Sequence, residues 1–263
     1  MREALPLVVL TRRESSDDPL ARAAEEEGCE VVRLALFETK PGAQVEAMVR
    51  WLAAPQPGTA LAWTSRRAAT VLAEVALPNH RTAIERLPLF AVGEESASPI
   101  AAAGLPVSLP ATGLGAGHLA SHLIDRAPAL GIRRVAFLHG DRALSELPES
   151  LARSGIPVDR FEVYRTAYLE ADPAPLIRAL DARRPCVVAY YSPSGIAGLE
   201  RLLEPIVAEA LHAEAVALAR GETTYQALLR WGYTHANRPV GTRAGSFDSF
   251  VRDAVQSVAR SPR

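Results

Sequence analysis

The second half of this chain repeats the first at a nearly constant offset of 127 residues. Gly28 falls on Gly155, Val31 on Val158, Phe37 on Tyr164 and Thr39 on Thr166. Ala60-Leu-Ala-Trp-Thr-Ser65 falls on Val187-Val-Ala-Tyr-Tyr-Ser192, and Phe90-Ala-Val-Gly93 on Ala217-Leu-Ala-Arg220. Ser96 falls on Thr223, and later segments slip by one residue so that Gly104 falls on Gly232. A period this long is not that of a solenoid. It predicts two similar α/β domains, and by itself it suggests two consecutive halves.

The repeating unit reads as strand, loop, helix, strand, the building block of a parallel sheet. Pro6-Leu-Val-Val-Leu10 is a short apolar strand and Thr11 to Asp18 a polar loop. Asp17 or Asp18 can cap a helix with Pro19 at its first position. That helix runs over Leu20–Glu27, Gly28 stops it, and Val31–Phe37 returns as a strand. In the second copy, Val135–Leu138 is the strand and Gly140–Pro148 the loop. Glu149–Ser154 is the helix, Gly155 its stop, and Val158–Tyr164 the returning strand.

Length and composition narrow the function classes. With 263 residues and 48% hydrophobic content the chain can bury two ordinary cores. The 29 basic and 30 acidic residues leave a net charge of −1, so no global field attracts nucleic acid or an anionic membrane. Attraction for an anion must be local. Cys29 and Cys186 are too few for a disulfide framework and read as small buried residues near strand starts. Ala4–Leu10 is too short for a signal peptide, and no apolar run has the length of a membrane span. The expectation is a cytoplasmic protein.

Several apolar strands end in polar loops that start helices: Thr11-Arg12-Arg13, Thr64-Ser65-Arg66-Arg67, Gly93-Glu94-Glu95-Ser96 and His139-Gly140-Asp141-Arg142. Ser192-Pro193-Ser194-Gly195 and Gly221-Glu222-Thr223-Thr224 complete the set. In parallel sheets, ligands bind beyond the carboxyl ends of strands. Helix N–H groups and small hydroxyls suit carboxylate or phosphate oxygens, and Arg12, Arg66 and Arg142 can add charge. Each Ser or Thr also has the plainer use of capping its own helix. Six such loops on two related domains favour an anion-binding cleft.

Known catalytic motifs are missing. There is no GxxxxGK[ST], no GxGxxG after the first strand, no HExxH and no GxSxG. Gly113–Gly117 reads as a loop, and His80, His118, His122 and His212 as surface or loop residues. The pattern points away from nucleotide, metal and acyl-enzyme chemistry, and no cofactor is expected. Tyr164, at the end of a returning strand, is either a packed tyrosine or a phenol that gives a proton into the cleft.

The ordered set Leu10-Thr-Arg12, Trp63-Thr-Ser65, Ala91-Val-Gly93, Val163-Tyr-Arg-Thr166, Tyr191-Ser-Pro-Ser194 and Glu222-Thr-Thr224 resembles the uroporphyrinogen-III synthase family. No single motif is specific. Order, spacing and duplication together carry the resemblance, which runs from about Pro6 to Val255. It implies an α/β fold of two similar domains with parallel sheets flanked by helices, joined by a two-stranded linker. Domain 1 would be discontinuous, 1–36 and 170–263; domain 2 would be 42–163; the linkers would be 37–41 and 164–169. Two domains so joined are expected to move about their hinge.

The resemblance also implies a hydro-lyase. Its substrate, hydroxymethylbilane, is a linear tetrapyrrole with eight carboxylates, and it loses its terminal hydroxyl as water. The azafulvene is attacked at the substituted carbon of the last pyrrole, a spiro intermediate forms, that pyrrole inverts, and the ring closes as isomer III. Tyr164 is the implied proton donor. Thr11, Arg12, Thr64, Ser65, Arg66, Gly93, Gly140, Ser192, Ser194, Thr223 and Thr224 are the implied substrate contacts. The expected partners are hydroxymethylbilane and hydroxymethylbilane synthase, with no nucleic acid and no membrane, for a monomer. Departures from the family pattern fall at Gly140-Asp-Arg-Ala-Leu144 and Ala219-Arg-Gly-Glu222, and the acids Glu94, Glu95 and Glu222 stand where they could repel a carboxylate. A non-catalytic tetrapyrrole-binding or regulatory member of the same family is the alternative. A periplasmic-type binding protein is a third reading, against which the lack of a signal peptide argues.

Overall fold

The computed structural model describes residues 5–12, 19–113, 115–239 and 246–260. The chain divides into two compact units, Met1–Glu38 with Ala167–Arg263, and Thr39–Thr166. Among the described residues ten strands supply their sheets: β1 Leu7–Leu10, β2 Glu30–Arg33, β3 Phe37–Pro41, β4 Thr59–Trp63, β5 Leu89–Ala91, β6 Arg134–Gly140, β7 Val158–Tyr168, β8 Cys186–Tyr190, β9 Val216–Ala219 and β10 Ala236–Asn237. The discontinuous unit has the order β10-β9-β8-β1-β2, and every neighbouring pair is parallel. The continuous unit has β3-β7-β6-β4-β5, with β7, β6, β4 and β5 mutually parallel.

The duplication is visible in these orders. β9-β8-β1-β2 matches β5-β4-β6-β7, strand for strand. Cys186–Tyr190 lies 127 positions after Thr59–Trp63. The one-residue slip is also physical. Ala217 bridges Ala236 in one unit, and Phe90 bridges Ser108 in the other, so the second partner sits 128 positions on rather than 127. Gly104 and Gly232, paired by that slip, both have positive φ, 81° and 89°.

Strand parity builds the cores. In the discontinuous unit, Leu7 and Val9 of β1 face one cluster with Val188 and Tyr190 of β8, while Val8 and Leu10 face another with Val187 and Ala189. In the continuous unit, Leu61 and Trp63 of β4 join Ala136 and Leu138 of β6, while Ala60 and Ala62 join Val135 and Phe137. Both faces of each strand are therefore covered by helices, the situation that makes a strand an unbroken apolar run. Trp63 and Tyr190 occupy equivalent places, each fully buried. A buried polar tip needs a partner. The Trp63 indole N–H donates to the Ser96 carbonyl at 2.7 Å, and the Tyr190 hydroxyl meets that of Tyr233 at 2.5 Å.

Several expectations need correction. Val31–Phe37 is not one strand. Residues 30–33 pair with β1, Leu34 extends that ladder by one bond to the Leu10 carbonyl, and at Phe37 the chain enters the other sheet as β3. Leu34 and Leu36 keep period-two burial through the change, so the apolar pattern runs on unbroken. The helix expected over Glu149–Ser154 begins earlier and spans Glu146–Arg153. Pro148 lies in its first turn, where a backbone donor is not needed. The Gly113–Gly117 stretch already holds the start of the helix Ala116–Leu130, with Gly115 capping it. His122 and His212 are half-buried helical residues: His122 bonds Ser108 Oγ at 2.8 Å, and His212 bonds Glu200 at 2.9 Å. The proposed cap at Asp17 or Asp18, Arg13 and Leu114 lie outside the described residues. No helix among the described residues is long and apolar enough to cross a membrane.

Candidate active site

In a parallel sheet all strands deliver their carboxyl ends to one edge, and helix N-termini gather there. In the continuous unit the order β7-β6-β4-β5 places Tyr164, Gly140, Thr64 with Ser65, and Gly93 along that edge.

Tyr164 and Gly140 are brought directly together. The ladder between β6 and β7 shifts register after His139, which faces Glu162, so that Gly140 faces Tyr164. Val163 is the extra residue of this bulge, and both Val163 and Tyr164 contact the same core cluster. A bulge re-aims a side chain in this way. The half-buried phenol ring rests where a Cβ of Gly140 would be. Asp141 fastens the pair. Its N–H donates to the Tyr164 carbonyl at 3.1 Å, and its Oδ1 accepts from the Thr166 N–H at 3.1 Å. On the far side, Gly42 donates to the Val163 carbonyl at 3.1 Å, and Gln44 exchanges two bonds with the Glu162 backbone.

At the end of β4, Ser65 Oγ accepts the Ala68 N–H at 3.2 Å and caps the helix Arg66–Val71; Arg66 is exposed and Thr64 half-buried. At the end of β5, the Gly93 N–H donates to Ser96 Oγ at 3.1 Å, and the Ser96 hydroxyl returns a bond to the Gly93 carbonyl at 2.8 Å. That N–H is thus engaged within the unit. Glu94 and Glu95 occupy the exposed first turn of the helix Glu94–Ala102, where the helix dipole favours acids.

The discontinuous unit presents an equivalent edge. Thr11 is 2% exposed and donates from Oγ1 to the Ala189 carbonyl at 2.8 Å, so its proton is used inside the sheet. Its oxygen also lies against Gly195, where a Cβ would stand 3.0 Å away. The Arg12 guanidinium lies over the Tyr191 ring, 4.6 Å from its centre. Ser192 starts the helix Pro193–Glu200, but its Oγ is buried with no hydrogen-bond partner among the described residues. Ser194 is half-buried. Thr223 is exposed and Thr224 buried, in the first turn of the helix Glu222–Trp231. Glu222 pairs with Arg238 at 2.7 Å and accepts from Gln226, so its charge is partly neutralised locally.

Three residues of these loops have roles that the sequence does not single out. Ser96 and Asp141 act through backbone bonds that only the fold creates. His139, 8% exposed, donates from Nδ1 to the Gly140 carbonyl at 2.8 Å and stacks on Phe137. Burial lowers its pKa, and the nearby Arg160 adds to that effect, against the Gly140 bond. Its only sequence signal is that a polar residue interrupts the apolar strand just before a glycine. Among the described residues no three His, Cys, Asp or Glu side chains are grouped so as to hold a metal ion. A cavity of about 470 Å³ opens at the opposite edge of the continuous unit's sheet, beside Gly58, Pro88 and Ile132. Its one lining hydroxyl, that of Thr59, is already bonded to the Gln56 carbonyl at 2.8 Å, whereas hydroxyls and helix N-termini gather at the carboxyl edge, which is the candidate site.

Two α/β units of matching strand order, each with a polar carboxyl edge, define a duplicated parallel-sheet protein in which one unit is inserted into the other. The family model described as uroporphyrinogen-III synthase HemD matches residues 18–244, and the chain belongs to that family. Among solved structures, a mutant uroporphyrinogen III synthase of the extremely thermophilic bacterium Thermus thermophilus is similar at TM-score 0.68 and 22% identity, covering 97% of this chain and 100% of that one. The wild-type protein of the same bacterium is similar at TM-score 0.55 and 24% identity, covering 97% and 99%. The uroporphyrinogen-III synthetase of Helicobacter pylori is similar at 0.56 and 15%, covering 95% and 100%. At these identities the likeness is one of fold. None of the curated proteins matches the chain.

Proposed function

We propose that the protein is a uroporphyrinogen-III synthase, converting hydroxymethylbilane to uroporphyrinogen III with loss of water. The observation that supports this best is the Tyr164 phenol, turned by a bulge onto Gly140 at the carboxyl edge of its sheet, in a chain of this family. A phenol keeps its proton at neutral pH and can donate it. The Tyr164 hydroxyl gives that proton to the terminal hydroxyl of the bilane, the carbon–oxygen bond breaks, and water departs. The azafulvene is attacked by the substituted carbon of the last pyrrole, which inverts through a spiro intermediate. The spiro carbon's bond to the neighbouring bridging carbon breaks, the free α-carbon of the turned pyrrole bonds to that bridging carbon instead, and the proton lost as this pyrrole regains aromaticity restores the phenol.

The strand-end loops bind the carboxylates in this reading. Ser192 fits that task, because its buried oxygen has no partner among the described residues and would gain one from a carboxyl group or its bound water. Arg12, stacked on Tyr191, offers a charge already held in one orientation. Holding a reactive substrate in one conformation supplies much of such a catalyst's effect. The site residues, the absence of any cofactor and the monomeric state are part of the same proposal. The test is direct: purified protein is mixed with hydroxymethylbilane and the products are separated as isomers I and III. Isomer III should predominate without added metal or nucleotide. Isomer I alone, at the uncatalysed rate, would show a non-catalytic member of the family.

A further inference from the structure

We propose that His139 is a positioning residue for Tyr164, acting through the Gly140 carbonyl; the proposal rests on Tyr164 serving the reaction above. The register of β6 against β7 is regular from Val135↔Val158 to His139↔Glu162 and breaks at the next step. That step is where His139 Nδ1 reaches the Gly140 oxygen at 2.8 Å. A carbonyl only accepts, so Nδ1 carries the hydrogen. The lowered pKa from burial agrees with a neutral ring in that tautomer.

The bond bridges the two sides of the strand. Phe137 belongs to one core face, and His139 stacks on it at 5.2 Å between ring centres. Leu138 belongs to the other face, the one Tyr164 contacts. Gly140 has no side chain, and the phenol ring occupies that space. The Gly140 carbonyl also accepts the Ala143 N–H at 3.1 Å, and the N–H of the same peptide, that of Asp141, donates to the Tyr164 carbonyl at 3.1 Å, so the imidazole adds a side-chain bond to a peptide that the backbone already ties to β7. Here Phe137 holds the imidazole, the imidazole holds the Gly140 carbonyl, and the Gly140 peptide sets the floor on which the phenol rests. The register step itself is held from the outer side by Gly42 and Gln44 and past the end of β6 by Asp141, and the histidine adds a side-chain support from the Phe137 face.

This role makes specific demands on a variant. Asn carries an amide N–H near the place of Nδ1 and should preserve the bond; Leu fills the volume but cannot donate. With the full chain and hydroxymethylbilane, His139→Leu should lower kcat about five- to tenfold and change KM less than about twofold, while His139→Asn stays within about twofold of wild type. In a Tyr164→Phe background His139→Leu should change kcat less than about twofold, because the group it positions is gone. Independent multiplication of the two effects, or a fully active His139→Leu, would overturn the proposal. If His139→Leu does not fold, His139→Gln, whose amide lies one bond too far out, takes its place. A second readout needs no activity. In protein labelled at the tyrosine ζ-carbons, the Tyr164 resonance is assigned by its loss in Tyr164→Phe. It should move in His139→Leu and stay in place in His139→Asn, and a resonance unmoved in both would refute the positioning role. An inactive wild type would instead refute the synthase reading and leave this spectroscopic result standing.

Discussion

The phenol of Tyr164 covers the α-carbon of Gly140, so that a Cβ built there would lie 2.7 Å from the phenol oxygen and closer still to the ring carbons. Even one methyl group cannot be added without moving the ring. Gly140→Ala should therefore cost about 1–3 kcal/mol of stability, the usual range for overpacking. It should also lower isomer III formation by about as much as losing the phenol hydroxyl does, roughly ten- to a hundredfold. Urea denaturation and turnover check the two halves separately. Wild-type turnover in a destabilised Gly140→Ala protein would mean that the ring's position does not matter to the reaction.

Tyr164→Phe isolates the hydroxyl. The ring packs against the core cluster of Met48, Leu52, Trp63 and their neighbours, and that contact survives the substitution. Stability should stay within about 0.5 kcal/mol of wild type, as for changes that spare packing. Turnover should fall roughly ten- to a hundredfold, at or below the lower limit of the range of about 100- to 10,000-fold for a general acid, since the bilane can also lose water unaided. A variant with full turnover would assign Tyr164 to packing alone.

Ser65 and Ser192 are equivalent in the repeat but differently used, and this separates capping from binding. Ser65 Oγ accepts the Ala68 N–H, so Ser65→Ala should cost about 1 kcal/mol, the value of a lost cap. Ser192 Oγ is buried and has no partner among the described residues, so Ser192→Ala should be neutral or slightly stabilising. In the synthase reading Ser192→Ala also raises KM, and Ser65→Ala affects binding less. Equal losses of stability in the two variants would contradict the difference seen in the structure.

The central strands β1, β4, β6 and β8 were legible because each is an apolar run that gives way to a polar loop, and the repeat was legible because equivalent positions face equivalent cores. The family's two-part domain organisation was not derivable from the repeat, since an offset does not tell which copy of a strand enters which sheet. Leu34, Leu36 and Phe37 continue one apolar pattern through the point where the chain leaves β2 for β3. The site was legible only in part. Tyr164 stood out as a polar end to a strand, but the bulge that aims it depends on backbone partners at Gly42, Gln44 and Asp141. Thr11 matched the family pattern, yet its hydroxyl proton belongs to the Ala189 carbonyl, which no spacing could show.

The chain of hydroxyls behind β8 gives an ordered stability series. Tyr233 donates to Glu200 Oε1 at 2.9 Å, so the proton in the 2.5 Å contact with Tyr190 comes from Tyr190. His212 shares the same carboxylate oxygen. Tyr190 is fully buried, and burial raises the pKa of both phenols far above the ordinary range, so both stay neutral. Tyr190→Phe removes the terminal donor and should cost about 0.5–1.5 kcal/mol. Tyr233→Phe leaves the Tyr190 hydroxyl buried without an acceptor and should cost more, about 1–3 kcal/mol beyond any packing change. The reverse order in urea denaturation would show that the network does not run in this direction.

Acid should destabilise the continuous unit through two histidines before it does so through carboxylates. Burial lowers the pKa of His139, and burial with the neighbouring Arg126 lowers that of His122. In the unfolded chain both rings return to the ordinary value of about 6.5. The unfolded state therefore takes up protons first as pH falls, and stability declines from about pH 6.5 down to the depressed folded values. Glu162 acts lower. Its bond to Arg165 holds its carboxyl below the usual range, so its contribution is present above about pH 4.5 and is lost as pH falls through the depressed folded value. Arg165 is exposed and Glu162 half-buried, and screening by water at the Arg165 side limits the size of that share. Urea midpoints measured from about pH 7.5 to about pH 5.5 should fall in the wild type. The slope should be shallower in His139→Asn, and shallower again when His122→Asn is added. A slope unchanged by both substitutions would place the acid sensitivity elsewhere in the chain.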